Sequence, residues 1–130
     1  MGIAFLLGLL FSLQFPSLCR ASEPVEKNVL IVLPYTQDFP AHTSLVRGLK
    51  KELQAQSRYT VRLSHEFLDL SRFENEESYL AEVAGFFEKK YSRLKPDIVV
   101  TGATLSGFML EHGARVFPGV PVIFAWNEKF

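Results

Sequence analysis

Three stretches concentrate the side chains able to contact a polar small molecule: Tyr35-Thr36-Gln37-Asp38, Thr101-Gly102-Ala103-Thr104 with Ser106 close behind, and Trp126-Asn127. Their hydroxyls and amides offer donors and acceptors, and the two aromatics offer flat walls, a composition suited to recognition. Gly102 and Ala103 are small enough for a ligand to reach backbone N–H groups at a helix start. Thr36, Asp38 and Thr104 are equally the residue types that cap helices and close turns. Trp126 can stack on a ligand or fill an interface.

Bond-making chemistry has poorer credentials. Thr101 to Gly107 lacks the lysine of a phosphate-binding loop, and no Gly-x-Gly-x-x-Gly follows the first apolar run. Ser106 is not in a Gly-x-Ser-x-Gly elbow. His112 lies about 9 Å along the same helix, at about 1.5 Å per residue, too far to serve Ser106 as a base. His42, His65 and His112 share no metal-ligand spacing, and each is expected at the surface or at a helix end. Asp38 after an apolar strand suggests a phospho-accepting receiver. That chemistry needs an acidic cluster for magnesium and an accepting Asp after a later strand, where Thr101-Gly102 stands instead. The run Glu66-Phe67-Leu68-Asp69 with Arg72 can face a cleft. Its simpler use is to fix a loop by local ion pairs while Phe67 and Leu68 pack inward.

The elements that must position these residues alternate. Asn28 to Leu33 is a continuous apolar run ended by Pro34, as in a strand buried on both faces. Asp38 can cap the following helix, with Pro40 in its first turn and Leu45, Val46, Leu49 and Leu53 on its inner face. Tyr59 to Leu63 alternates like a strand near an edge. Asn75 opens a second helix, with Glu76 and Glu77 near its positive end and Lys89, Lys90 and Arg93 near its negative end. Its apolar face is Tyr79, Leu80, Val83, Phe86, Phe87 and Tyr91. Asp97 to Thr101 is the third strand, Thr104 to His112 a short helix closed by Gly113, and Pro121 to Ala125 the fourth strand. The order βαβαβαβ predicts an α/β three-layer sandwich, a parallel sheet with helices on both faces. In such sheets the carboxyl-end loops meet at the topological switch, which gathers the three polar stretches. A further element is expected to cover Val122 and Phe124, so the chain reads as part of a longer polypeptide.

The chain has 130 residues, 14 Lys+Arg against 14 Asp+Glu, and is 48% hydrophobic and 13% aromatic. That composition excludes a disordered chain and fits one small domain. With zero formal charge there is no electrostatic footprint for nucleic acid. Met1 to Cys19 carries no charged side chain, and Cys19-Arg20-Ala21 suits a signal peptidase cutting before Ser22. The competing reading is a membrane anchor over residues 3–19. A span needs about 20 apolar residues, and this run is interrupted by Gln14 and Pro16. Leu18 directly before Cys19 argues against lipid attachment there. The mature chain, residues 22–130, would hold no cysteine, so its stability would come from packing rather than disulfides.

Several short motifs in order carry a resemblance: Asn28 to Leu33 with Tyr35, Arg47-Gly48-Leu49, Glu66-Phe67-Leu68-Asp69 with Arg72, Lys90-Tyr91, Pro96-Asp97, Phe117-Pro118, and Pro121 to Phe124 with Asn127. Together they are similar to extracytoplasmic sensor domains related to ABC-transporter substrate-binding proteins, and the likeness spans nearly all of residues 28–127. The resemblance implies the type I periplasmic-binding-protein fold, two lobes closing on a small ligand, with this chain as a flavodoxin-like N-terminal lobe. It also implies export, a missing C-terminal lobe, and a membrane transporter or receptor module as partner. Departures fall in the ligand loops. Pro34-Tyr35-Thr36 stands where the family often has Ser-Tyr-His, Thr101 to Thr104 where it has acidic residues, and Ala125-Trp126 where it has Cys-Gly.

The resulting expectation is a non-catalytic binding or sensing half-site made of Tyr35, Thr36, Gln37, Asp38, Thr101, Gly102, Ala103, Thr104, Trp126 and Asn127. It has no catalytic residue, metal or cofactor. Two alternatives stand beside it. One is the input fragment of a sensor histidine kinase or diguanylate cyclase whose catalytic part lies elsewhere. The other is a self-contained flavodoxin-like hydrolase.

Overall fold

Five consecutive aliphatic side chains, Val29 to Leu33, escape water together only inside a sheet roofed on both sides. The computed structural model describes residues 23–56, 58–73 and 76–125. It contains β1 (Val25–Leu33), α1 (Pro40–Gln54), β2 (Tyr59–Phe67), α2 (Glu76–Lys90), β3 (Ile98–Thr101), α3 (Ser106–Val116) and β4 (Val122–Phe124). Short 3-10 turns lie at Leu70–Arg72 and Ala103–Leu105. All strands are parallel, in the spatial order β2-β1-β3-β4. The chain is therefore an α/β three-layer sandwich of the flavodoxin-like kind, as the alternating pattern predicts.

Strand alternation divides the core. Leu30, Val32 and Val99 face α2 and α3, meeting Val83, Phe87 and Phe108. Val29, Ile31, Leu33 and Val100 face the other way, against Leu45, Val46 and Leu49 of α1. Phe87 is the hub of the first layer, with ring centroids 5.6 Å from Tyr91, 6.4 Å from Phe108 and 6.2 Å from Phe117.

Asp97 locks β1 to β3. Its Oδ2 accepts the Asn28 N–H at 2.8 Å, its Oδ1 accepts Lys27 Nζ at 3.0 Å, and its own N–H donates to Asn28 O at 2.8 Å. The Asn28 N–H, and then the Lys27 ammonium, hold the Asp97 carboxyl below its ordinary value of 3.8. A depressed folded-state value adds stability above the unfolded value and loses it as pH falls through the folded one. Asp97→Asn is therefore expected to flatten the acid limb of stability below about pH 4, read from urea melts across a pH series. An unchanged limb would refute the assignment.

Several local expectations are corrected. β1 starts at Val25 and β2 continues to Phe67, because the two strands stay in register from Val25–Tyr59 to Leu33–Phe67. Asp38 does not cap α1: Phe39 holds the cap position, and no side chain bonds the helix start. α3 runs through Gly113, which is buried against Met109. The stop comes later, at Phe117-Pro118-Gly119, where Gly119 adopts φ 73°. Phe86 leaves the inner face and is 58% exposed, with Lys90 Nζ 5.5 Å from its ring centre. Asn75, expected to open α2, and the leader, residues 1–21, lie outside the described residues. Val122 packs on the core, whereas Ile123 and Phe124 remain about half exposed. Among the described residues no helix is long and apolar enough to cross a membrane.

Candidate functional site

The strand order reverses at the β1/β3 neighbours: the chain leaves β1 toward β2 on one side and leaves β3 toward β4 on the other. Loops diverge from such a point and open a crevice at the strand tips. Pro34 ends β1 and is buried, Tyr35 and Thr36 are half-buried, and Gln37 and Asp38 are exposed. The loop closes on itself: Phe39 N–H donates to Thr36 O at 3.2 Å, and Thr43 Oγ1 donates to Gln37 O at 3.4 Å.

His42 anchors this loop from beneath. Of the two placements expected for it, surface or helix end, it takes the second: it stands in the first turn of α1, with its side chain fully buried. Its Nδ1 lies 3.1 Å from Thr36 O, and since a carbonyl only accepts, Nδ1 carries the proton. The ring stacks on Tyr35 at 6.0 Å and meets Phe39 edge-on at 5.0 Å, while Tyr35 and Phe39 lie 5.1 Å apart. Sequence reasoning missed this triad. The signal was their closeness along the chain: Tyr35 and Phe39 flank the turn that leads into α1, and His42 stands in the first turn of that helix.

The loop after β2 joins from the flank. Leu68 N–H donates to Leu33 O and Leu70 N–H to Pro34 O, each at 2.9 Å. Asp69 adopts φ 51° and pairs with Arg72 at 2.6 Å. Phe67 and Leu68 pack inward as expected, but of the run's acids only Asp69 makes a local ion pair, while Glu66 pairs with Lys90 at the end of α2. Tyr79 OH donates to Leu68 O at 2.7 Å. Burial, and then the Asp69 charge, push the Tyr79 phenol up. The two loops enclose an open depression of about 420 Å³ lined by Tyr35, Thr36, Phe39 and Ser71. Ser71 was not among the sequence candidates. It lies just past the Glu66 to Asp69 run, and a lone serine after a charged run carries no binding signal of its own.

The second expected stretch does not join this depression as a whole. Thr101 is fully buried, and its Oγ1 donates to Val32 O at 2.9 Å. Its register beside Val32 turns the side chain into the core, so it is a strand cross-tie rather than a rim residue. Gly102 is buried, and its carbonyl accepts Leu105 N–H at 3.1 Å. Ala103 is half-buried. Thr104 is exposed and lines a separate hollow of about 330 Å³ between α2 and α3, with Glu76, Glu77 and His112. Trp126 and Asn127 lie outside the described residues.

The depression at the strand tips offers an aromatic wall, three hydroxyls (Tyr35, Thr36 and Ser71) and nearby main-chain groups, a setting for holding a planar or partly polar molecule. Among the described residues, no group of three or more His, Cys, Asp or Glu is placed to hold a metal ion. No protein-family model, curated protein or solved structure matches this chain.

Proposed function

We propose that this chain is a non-catalytic binding module for a small molecule, acting outside the cytoplasmic membrane and serving a transporter or membrane receptor. The observation that carries the reading is the depression walled by Tyr35 and Phe39 at the carboxyl ends of β1 and β2, beside the point where the strand order reverses. In open parallel sheets this is where ligands bind. In this reading a second lobe forms the opposite wall. A ligand that favours the closed pair of lobes over the open one shifts the population toward closure, and closure is the signal. The half-site is Tyr35, Thr36, Phe39 and Ser71, with Gln37, Asp38 and Ala103 on its margin.

With one wall alone, ligand burial is low and binding is weak. Titration of the isotope-labelled protein with a panel of amino acids, sugars, purines and quinones is expected to give fast-exchange amide shifts. These should cluster at residues 35–39, 69–72 and 102–103, and Tyr35→Ala should abolish them. Shifts confined to other surfaces, or sub-micromolar binding by this chain alone, would overturn the half-site reading.

A further inference from the structure

Among the described residues, β2 is one margin of the sheet. It runs for nine residues in unbroken register with β1 and contains no proline. Leu68 N–H points at Leu33 O. Peptide groups alternate direction along a strand. The even-numbered residues therefore turn their N–H and C=O groups to β1, and Tyr59, Val61, Leu63, His65 and Phe67 turn theirs outward. Monomeric proteins blunt such margins with short strands, proline, bulges or charged side chains, and of these β2 has only the two charges of Arg62 and Glu66.

The helices leave room on both of its faces. Hollows of about 510 and 320 Å³ lie between α1 and β2, and one of about 490 Å³ lies between β2 and the end of α2. The charged residues of the strand are Arg62 and Glu66, of opposite sign and equally spaced about Ser64 on one face. Such a pattern is complementary to itself when reversed. Arg62 has a 68% exposed side chain and touches Glu26 at 3.0 Å. Lys90 Nζ, at 2.5 Å, and Tyr91 OH both bond Oε1 of Glu66, and no described residue bonds its Oε2.

We propose that β2 pairs antiparallel with β2 of a second copy of this chain, about a two-fold axis at Ser64, merging two four-stranded sheets into one. A two-fold axis requires the antiparallel sense. In this register Leu63 faces His65 and Val61 faces Phe67 across the join. These are the outward-turned residues, so each such pair exchanges both main-chain bonds. Arg62 faces Glu66 of the other copy, and the reverse, at the non-hydrogen-bonded positions where side chains approach most closely. A slip by one pair sets Arg62 opposite Ser64 and loses both charge pairs. The flanking hollows accommodate the side chains of the incoming strand. The edge runs along the flank of the sheet, so the pairing does not depend on the ligand reading.

Sedimentation velocity over a concentration series tests this. Reversible dimerisation is expected. Arg62→Glu and Glu66→Arg each place like charges opposite one another at both positions, and each weakens the dimer by at least about tenfold. An equimolar mixture of the two variants restores opposite charges at both positions and recovers the dimer. Glu66→Arg also loses Tyr91 and Lys90. His65→Pro is therefore a second probe: on the main chain it removes an outward N–H, which an edge strand tolerates, and it should give a folded monomer by circular dichroism. Its side-chain loss is the imidazole stacked on Phe67 at 6.3 Å, for which His65→Ala is the control that should still dimerise. If Glu66→Arg does not fold, His65→Pro decides alone. A protein monomeric at every concentration, a dimer that survives His65→Pro, or a folded mixture that stays monomeric would overturn the proposal.

Discussion

Phe87→Ala is expected to destabilise the protein by about 3–5 kcal/mol, measured as the shift in urea unfolding at constant m. Phe87 is 2% exposed and meets the buried rings of Tyr91, just past α2, of Phe108 in α3 and of Phe117, just past α3, besides its exposed neighbour Phe86. Truncation removes the shared neighbour of Tyr91, Phe108 and Phe117 and leaves a cavity that three bulky rings cannot collapse around. Domains of this size carry only about 5–15 kcal/mol in total, so this one substitution takes a large share. Phe86→Ala is the control. It is the adjacent residue on the same helix, yet its ring is mostly in water, and the expected change is within about 0.5 kcal/mol. Equal effects from the two substitutions would mean that α2 is rotated from the orientation described.

His42→Ala should cost about 2–4 kcal/mol and also loosen the candidate site. The imidazole fills a fully buried position, contacts both Tyr35 and Phe39, and donates to Thr36 O. Without it the loop keeps the Phe39 N–H to Thr36 O turn bond but loses its floor. Amide exchange at residues 35–39 should accelerate more than exchange in β3. His42→Leu separates packing from hydrogen bonding. It restores most of the volume and should recover all but about 1 kcal/mol. If exchange in the loop is unchanged by His42→Ala, the histidine is a core filler with no hold on the site.

These two residues also show how far the sequence could be read. β1 and β3 are legible because Val29 to Leu33 and Ile98 to Val100 are aliphatic runs whose burial on both faces leaves few alternatives. The tail of β2 is hidden because Ser64, His65 and Glu66 look like loop residues. An edge strand keeps only one face dry, and its length is set by the pairing partner β1 rather than by its own composition. The site was half legible. Tyr35 and Thr36 follow from their place after β1 at the strand tips. Thr101 misled, because a hydroxyl at a strand end can face a ligand or the core, and only its register beside Val32 decides. Gly113 misled for a related reason: next to Met109 it serves close packing inside a helix rather than a left-handed turn.

The bracket that Asp97 makes with Lys27 and Asn28 joins residues 70 and 69 positions apart, and this separation dictates an order of events during synthesis. The nascent chain can pair Val25–Leu33 with Tyr59–Phe67 while the ribosome is still translating. The inner flank of Val25–Leu33 must wait until Ile98–Thr101 has cleared the exit tunnel. During that interval Leu30 and Val32 are bare on the side where Val99 will sit. A holding chaperone would find its grip there, and slowing translation just after Thr101, while that strand is still inside the tunnel, should lengthen its stay.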